Sequence, residues 1–363
     1  MNKKIYVTRP FLPPLEEYIP YIEQIWESGI LTNDGEMVKR LEKELSNALG
    51  IENLIAVANG TLGLQIAIKA LDLTGEIITT PFTFIATLRA IDWQNCTPVF
   101  VDIDSETLNI DSKKIEAKIT EKTSAILGVH VFSNPCDVES IEAISKKYNL
   151  KVIYDAAHSL FVNYKGKSIL EYGHISVTSF HAVKLFNTVE GGGCITKSKE
   201  LEERIKQLRN FGFDKTGNIS DIGINAKMSE LHAAMGLASL KYIDKIKIYR
   251  KEKHDLYKKI LSEHEKINFQ KIDSEQYNYS YMPVLFQCEK TLLRALENLN
   301  KNNIFPRRYF YPSLNKLKMF GVDIERLPVA ESISKRILCL PLFYSLEDGD
   351  IENICKIILS SLK

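Results

Sequence analysis

The sequence predicts an α/β fold: a mostly parallel seven-stranded sheet covered by helices, followed by a smaller C-terminal α+β domain. Three observations carry this. Seven short apolar runs are nearly continuous rather than alternating: Leu54–Ala58, Glu76–Thr80, Pro98–Asp102, Ala125–Phe132, Lys151–Tyr154, Ile175–Phe180 and Gly193–Thr196. Continuous runs suit strands buried on both faces. Between them lie amphipathic stretches such as Met37–Leu45, with apolar residues at helical spacing. Beyond about residue 200 the texture changes, and short strands alternate with longer helices.

Taken in chain order, Pro10, Pro13 and Pro14 make the N-terminal segment an extended arm leading into a helix near Glu16–Ser28. The strand–helix alternation then runs to about residue 200. Glu230 to about Leu261 reads as one long helix or a broken pair, and its basic surplus as a solvated helix face. Strands at Tyr281–Phe286 and Ile337–Leu340 alternate with helices at Glu289–Asn300 and Asp348–Leu362. The expected division is a large domain over 1–235, with its arm at 1–30, and a small domain over 236–363.

Composition narrows the function. The 363 residues are 45% hydrophobic and 26% charged, as in an ordinary globular protein. Lys plus Arg number 47 against 46 Asp plus Glu, a net charge of +1 without the basic excess of a nucleic-acid or membrane-surface binder. No apolar run approaches the ~18 residues that span a bilayer. Arg9 and Pro10 interrupt the start before a secretory core forms. The six cysteines include no Cys-x-x-Cys pair and read as reduced, mostly buried thiols of a cytoplasmic protein. The mixture His130, Cys136, Asp137, Asp155 and His158 matches no zinc spacing, so no metal is expected.

Four features carry chemistry. Ala58–Leu64 ends a strand and starts a helix; Gly60 allows close approach and Thr61 adds a hydroxyl, so free N–H groups there could hold one phosphate. A plain strand–Gly–helix turn with a Thr cap has the same letters. Asp155 closes a buried strand, where a carboxylate either caps the next helix or keeps a heterocyclic nitrogen protonated. Lys184 has apolar neighbours just after another core strand, a setting that lowers an ammonium pKa and makes the amine a Schiff-base nucleophile. It lies 29 residues after Asp155, one strand–helix–strand excursion, and the Gly191–Gly193 run reads as a tight turn into the next strand. Pro81–Thr87 places aromatics at a strand end, where one could lie flat on a ring. Phosphate cradle, stacking aromatic, buried acid and desolvated lysine together describe pyridoxal 5′-phosphate.

These residues resemble the DegT/DnrJ/EryC1/StrS family of sugar-nucleotide aminotransferases over nearly the whole chain. The likeness rests on Ser28–Gly35, Asn59–Thr61, Asp155–Ser159, Ser179–Lys184 with Glu190–Gly192, Arg209–Gly212 and Asn225–Glu230. It implies the aspartate aminotransferase-like fold, fold type I of the pyridoxal phosphate-dependent transferases. It implies that Lys184 takes the cofactor aldehyde and later shuttles a proton. Asp155 would pair with the pyridinium nitrogen, and His158 would contact the phenolic oxygen. Gly60, Thr61 and Ser179 would hold the phosphate, and Phe84 would stack on the ring. Asn225 would reach the phosphate from the other subunit of a homodimer whose site lies at the interface. His181 would contact substrate or brace its loop, and Asn33 belongs to the expected substrate set.

The stretches Arg9–Glu16 and Arg307–Leu314 resemble the branch that aminates dTDP-4-keto-6-deoxy-D-glucose, with L-glutamate as donor. Arg307 or Arg308 would then meet the diphosphate and Tyr309–Tyr311 the base or sugar; an exposed Arg-Arg turn is the alternative. Branches that aminate a 3-keto isomer or a UDP-linked sugar share the core motifs. A nicotinamide oxidoreductase would need the Gly-x-Gly-x-x-Gly that the first strand lacks. A non-catalytic regulator retaining the fold would not need an intact Asp155 and Lys184.

Overall fold

The computed structural model describes residues 3–317 and 326–362. The chain begins with β1 (Ile5–Tyr6), α1 (Leu15–Ser28), α2 (Glu36–Leu49), β2 (Leu54–Val57), α3 (Gly60–Ala70), β3 (Glu76–Thr79), α4 (Ile85–Trp93) and β4 (Thr97–Phe100). It continues through β5 (Thr123–Val129), α5 (Val138–Tyr148), β6 (Lys151–Asp155), β7 (Asn163–Tyr164), β8 (Lys167–Ser168), β9 (Ile175–Ser179) and β10 (Gly192–Ile195). Then come α6 (Lys199–Leu208), α7 (Glu230–Leu240), α8 (Ile243–Leu261), β11 (Ile267–Phe269), β12 (Met282–Phe286) and α9 (Glu289–Lys301). The last elements are β13 (Ile304–Phe305), α10 (Pro328–Arg336), β14 (Ile337–Leu340) and α11 (Asp348–Ser361).

Seven strands form the main sheet in the order β2-β10-β9-β6-β5-β3-β4. All neighbours are parallel except β10, which runs antiparallel to both β2 and β9. The strands are apolar without alternation because both faces are covered. Leu54 and Ala56 join one cluster with Leu41, Leu45 and Leu237, whereas Ile55 and Val57 join another with Leu64 and Ile68. Each β2 residue therefore leaves water whichever way it points, and that burial drives the assembly.

Two connections differ from expectation. Between β6 and β9 there is no helix but a β7–β8 hairpin and a single 3-10 turn over Ile169–Glu171. Lys165 and Gly166 both take positive φ at its tip, the two-residue geometry that matches strand twist. The Gly191–Gly193 run is not itself the tight turn: Gly192 and Gly193 already belong to β10, and the positive φ falls before them on Val189. Glycine is required for close approach instead, since a Cβ on Gly192 would lie 2.7 Å from the Gly60 nitrogen. The stretch from Glu230 to Leu261 is the broken pair, α7 and α8, interrupted at Lys241 and Tyr242.

A three-stranded antiparallel sheet, β11-β12-β14, builds its own core with Tyr257, Leu261, Ile351 and Ile358. The N-terminal arm joins this part of the chain. Its β1 pairs in parallel with β13, and Leu342 N donates to Val7 O at 3.1 Å. Five cysteines are buried and Cys288 is exposed, all with free thiols. No described helix is long and apolar enough to cross a membrane.

Candidate active site

A cavity of about 680 Å³ opens beyond the carboxyl ends of β2, β6 and β9, the place where open α/β sheets bind ligands. Asn59, Gly60, Thr61, Phe84, Asp155, His158, Ser179, His181 and Lys184 all line it. The strand-end residues picked out by sequence are therefore brought together in one space.

Asp155 is the last residue of β6 and is 7% exposed. Burial raises its carboxyl pKa, opposed by hydrogen bonds from Thr87 and Ala157 and by the charge of Lys184. Thr87 Oγ1 donates to Oδ2 at 2.7 Å and Ala157 N donates to Oδ1 at 3.1 Å. No helix follows, so Asp155 caps nothing; both oxygens are clamped beside the cavity.

Three residues on, His158 receives a hydrogen bond at Nδ1 from Phe132 N, at 3.2 Å. A nitrogen that accepts is unprotonated, so Nε2 carries the hydrogen. Burial, together with nearby Lys184, pushes the imidazolium pKa well below its usual value. His158 is thus a neutral donor packed against Tyr281, with ring centroids 4.5 Å apart.

Lys184 lies in the loop between β9 and β10, braced by Ala182 N to Val189 O and Thr188 N to Phe180 O. Its Nζ donates to Tyr281 Oη at 3.2 Å. Desolvation lowers its pKa to about 8, against the opposing pull of Asp155 and Tyr309. Roughly a tenth of the amine is therefore free at pH 7, far more than an exposed lysine provides.

The phosphate-sized cradle is the start of α3. Asn59, rather than Thr61, caps the helix: its Oδ1 accepts from Leu62 N at 2.9 Å. Thr61 is left to line the cavity. A Cβ on Gly60 would come within 3.2 Å of the Ser179 Cβ, so any larger residue would fill the cradle. Helix-start N–H groups and two hydroxyls suit a dianion.

The rim separates the remaining expectations. Phe84 is 51% exposed at the mouth. His181 lies 3.5 Å from Glu190 through Nε2 and accepts from Val183 N at Nδ1. Arg307 and Tyr309 line the cavity, and the guanidinium sits 5.0 Å from the tyrosine ring centroid. Arg308 and Tyr311 do not line it. Arg308 bonds Glu289 at 2.8 Å and the Lys335 carbonyl at 2.9 Å, and it lies over the Tyr311 ring. Arg307 thus turns toward the cavity and Arg308 away from it, while the adjacent Tyr309 and Phe310 both line it. Asn33 and Asn225 are exposed and lie outside the lining of their own chain.

Sequence reading missed Thr83, Thr87, Phe132, Tyr281 and the arm residues Val7 and Thr8, which also reach the site. The four-residue spacing of Thr83 and Thr87, inside a segment read only for its aromatics, was the available signal.

Pyridoxal phosphate fits these residues. The buried carboxylate has both oxygens held by donors, the lysine is desolvated, and a glycine keeps the helix start open. Fold and site together define a pyridoxal phosphate-dependent transferase of fold type I. The chain belongs to the DegT/DnrJ/EryC1/StrS aminotransferase family, whose model matches residues 15–359. It is 44% identical to a dTDP-4-amino-4,6-dideoxy-D-glucose transaminase of Shigella dysenteriae, over 99% of both chains. It is 41% identical to the transaminase of the same description from Escherichia coli, over 99% of this chain and 100% of the other. Among solved structures, that of DesI in the presence of its TDP-sugar product superposes with a TM-score of 0.95. The two share 32% identity over 100% of this chain and 94% of that one.

Proposed function

We propose that the enzyme takes the amino group of L-glutamate and delivers it to dTDP-4-keto-6-deoxy-D-glucose, giving dTDP-4-amino-4,6-dideoxy-D-glucose. Full-length similarity to the two transaminases of that product carries the reading. Bound pyridoxal phosphate supplies an electron-withdrawing ring that stabilises negative charge at the reacting carbon. The protein does the rest. Asp155 holds a proton on the ring nitrogen, and His158 donates from Nε2 to the phenolic oxygen. Gly60, Thr61 and Ser179 hold the phosphate, and Phe84 covers the ring. Lys184 Nζ, with a pKa of about 8, gives and takes the proton at the reacting carbon. Arg307 offers a cation to the diphosphate, with Tyr309 beside it; His181 contacts the sugar or braces the lysine loop.

The active unit is a homodimer in which a second copy supplies Asn225 to the phosphate. Support comes from the exposed apolar residues around it, Ile219 at 70% and Ile222 at 80%, which water alone would leave poorly satisfied. Mixing Lys184→Ala and Asn225→Ala proteins should then restore activity that neither has alone at limiting cofactor. No restoration would refute the shared site. The proposed division is a cofactor-binding domain over 1–235 and a small domain over 236–363, with β1 of the N-terminal arm reaching across to pair with β13 of the small domain.

The deciding experiment incubates the enzyme with glutamate and a panel of 3-keto and 4-keto sugar nucleotides on dTDP, UDP and GDP, followed by mass spectrometry of products. Amination of dTDP-4-keto-6-deoxy-D-glucose in preference to the rest is expected. Preference for a 3-keto or UDP-linked sugar would overturn the substrate assignment.

A further inference from the structure

Two threonines stand behind Asp155. Thr83 and Thr87 are both buried, at 1% and 0% exposure, with their hydroxyl oxygens 2.7 Å apart. Buried hydroxyls are costly unless paired, and here the direction of pairing is fixed. An ionised carboxylate only accepts, so the single Thr87 hydrogen goes to Asp155 Oδ2, and Thr83 must donate to Thr87. Thr87 sits in the first turn of α4, whose N-cap residue Phe84 makes no side-chain cap. The one hydrogen of the Thr87 hydroxyl goes to Asp155 rather than to a carbonyl of its own helix. Ala157 N holds the other oxygen from the far side. Donors from two separate elements fix the carboxylate plane, and rotation of the group breaks one or both bonds.

We propose that Thr87, backed by Thr83, is a positioning residue that keeps the Asp155 carboxylate ionised and aimed into the cavity, so that a ring nitrogen opposite it stays fully protonated. The inference rests on the pyridoxal phosphate reading. Without the Thr87 hydroxyl the carboxylate loses a charge-assisted donor. The proton then shifts from the ring nitrogen toward Asp155, and the ring withdraws electrons less strongly. Proton removal by Lys184 slows, whereas packing is nearly unchanged, because valine has the shape of threonine.

The test compares wild type, Thr87→Val, Thr87→Ser, Thr83→Val and Asp155→Asn. Pyridoxal phosphate affinity is read by equilibrium dialysis, and the rate at which glutamate bleaches the visible band is read at saturating cofactor. Thr87→Val should bind the cofactor more weakly and bleach about tenfold more slowly, the size of one lost hydrogen bond to a charge. Thr87→Ser should stay within about twofold of wild type, and Thr83→Val should fall in the same direction by less. Thr87→Val matching wild type, or Thr87→Ser falling as far as Thr87→Val, would overturn the relay. If Thr87→Val does not fold, Thr83→Val decides, and equality with wild type overturns the proposal. Wild type that binds no pyridoxal phosphate would instead sink the underlying cofactor reading.

Discussion

The main-chain N–H of Phe132 donates to Nδ1 of His158 at 3.2 Å, from a backbone in the left-handed region. Phe132 has φ 53° and Ser133 φ 75°, a conformation costing roughly 1–2 kcal/mol for each non-glycine residue. The surroundings impose it. Tyr277 Oη bonds Phe132 O at 2.7 Å, Asn109 Oδ1 accepts from Val131 N, and Ser133 Oγ and Asn278 Nδ2 both bond His158 O. Strain held in this way at a ligand cavity delivers one N–H to one ring nitrogen.

That bond makes the His158 tautomer a prediction. In ¹⁵N-histidine NMR of the apo-enzyme, the His158 imidazole should be neutral, with its hydrogen on Nε2, and should not titrate between roughly pH 6 and 8. A hydrogen on Nδ1, or a midpoint near the ordinary histidine value, would remove His158 as a fixed donor to the cofactor.

The two adjacent arginines should separate cleanly. Arg307 lines the cavity, so Arg307→Ala should raise KM for the nucleotide sugar by about tenfold. The rate of amino transfer from glutamate should be unchanged. Arg308 is tied to Glu289, with the two side chains 13% and 32% exposed. Arg308→Ala should leave both half-reactions intact and cost about 1–3 kcal/mol of stability by denaturant titration. Equal KM effects for the two variants would contradict the orientation of this segment.

Much of this architecture was legible because burial on both faces writes itself into a strand as a continuous apolar run, as in β2, β5 and β9. The β7–β8 hairpin was not, since two-residue strands carry no period and only the Lys165-Gly166 turn marks them. The same logic divides the site. Asp155, Ser179 and the residues around Gly60 stand at strand ends, where a polar residue after an apolar run announces itself. Thr87 and Tyr281 act through partners 68 and 97 positions away, a relation no local pattern contains. Arg307 and Arg308 are identical letters on opposite sides of one segment, so only the packing of Glu289 against one of them tells them apart.

Lys184 should lower the stability of the apo-enzyme. Its folded-state pKa is about 8 against an ordinary lysine value of 10.5, so at Lys184 the unfolded chain binds more protons than the native protein between these values. Stability from this group therefore rises with pH across that window and is lowest below about pH 8, where the ammonium is charged in both states and only the native one is desolvated. Lys184→Met removes the buried charge and keeps the bulk. It should abolish activity and stabilise the apo-enzyme at pH 7 by at most about 3 kcal/mol, since every tenfold loss of proton affinity on folding corresponds to about 1.4 kcal/mol. That ceiling already contains the attraction of Asp155, which opposes desolvation at Lys184. The advantage should shrink as pH rises from about 8 and vanish above about 10.5, as the lysine becomes neutral in the folded and unfolded chains alike. Denaturant melts of the two apo-proteins at pH 7 and pH 10 measure it. A variant less stable than wild type at pH 7 would mean that the Tyr281 bond and the Asp155 charge already outweigh desolvation. The reactive amine would then be a stabilising group, and its lowered pKa would need another cause.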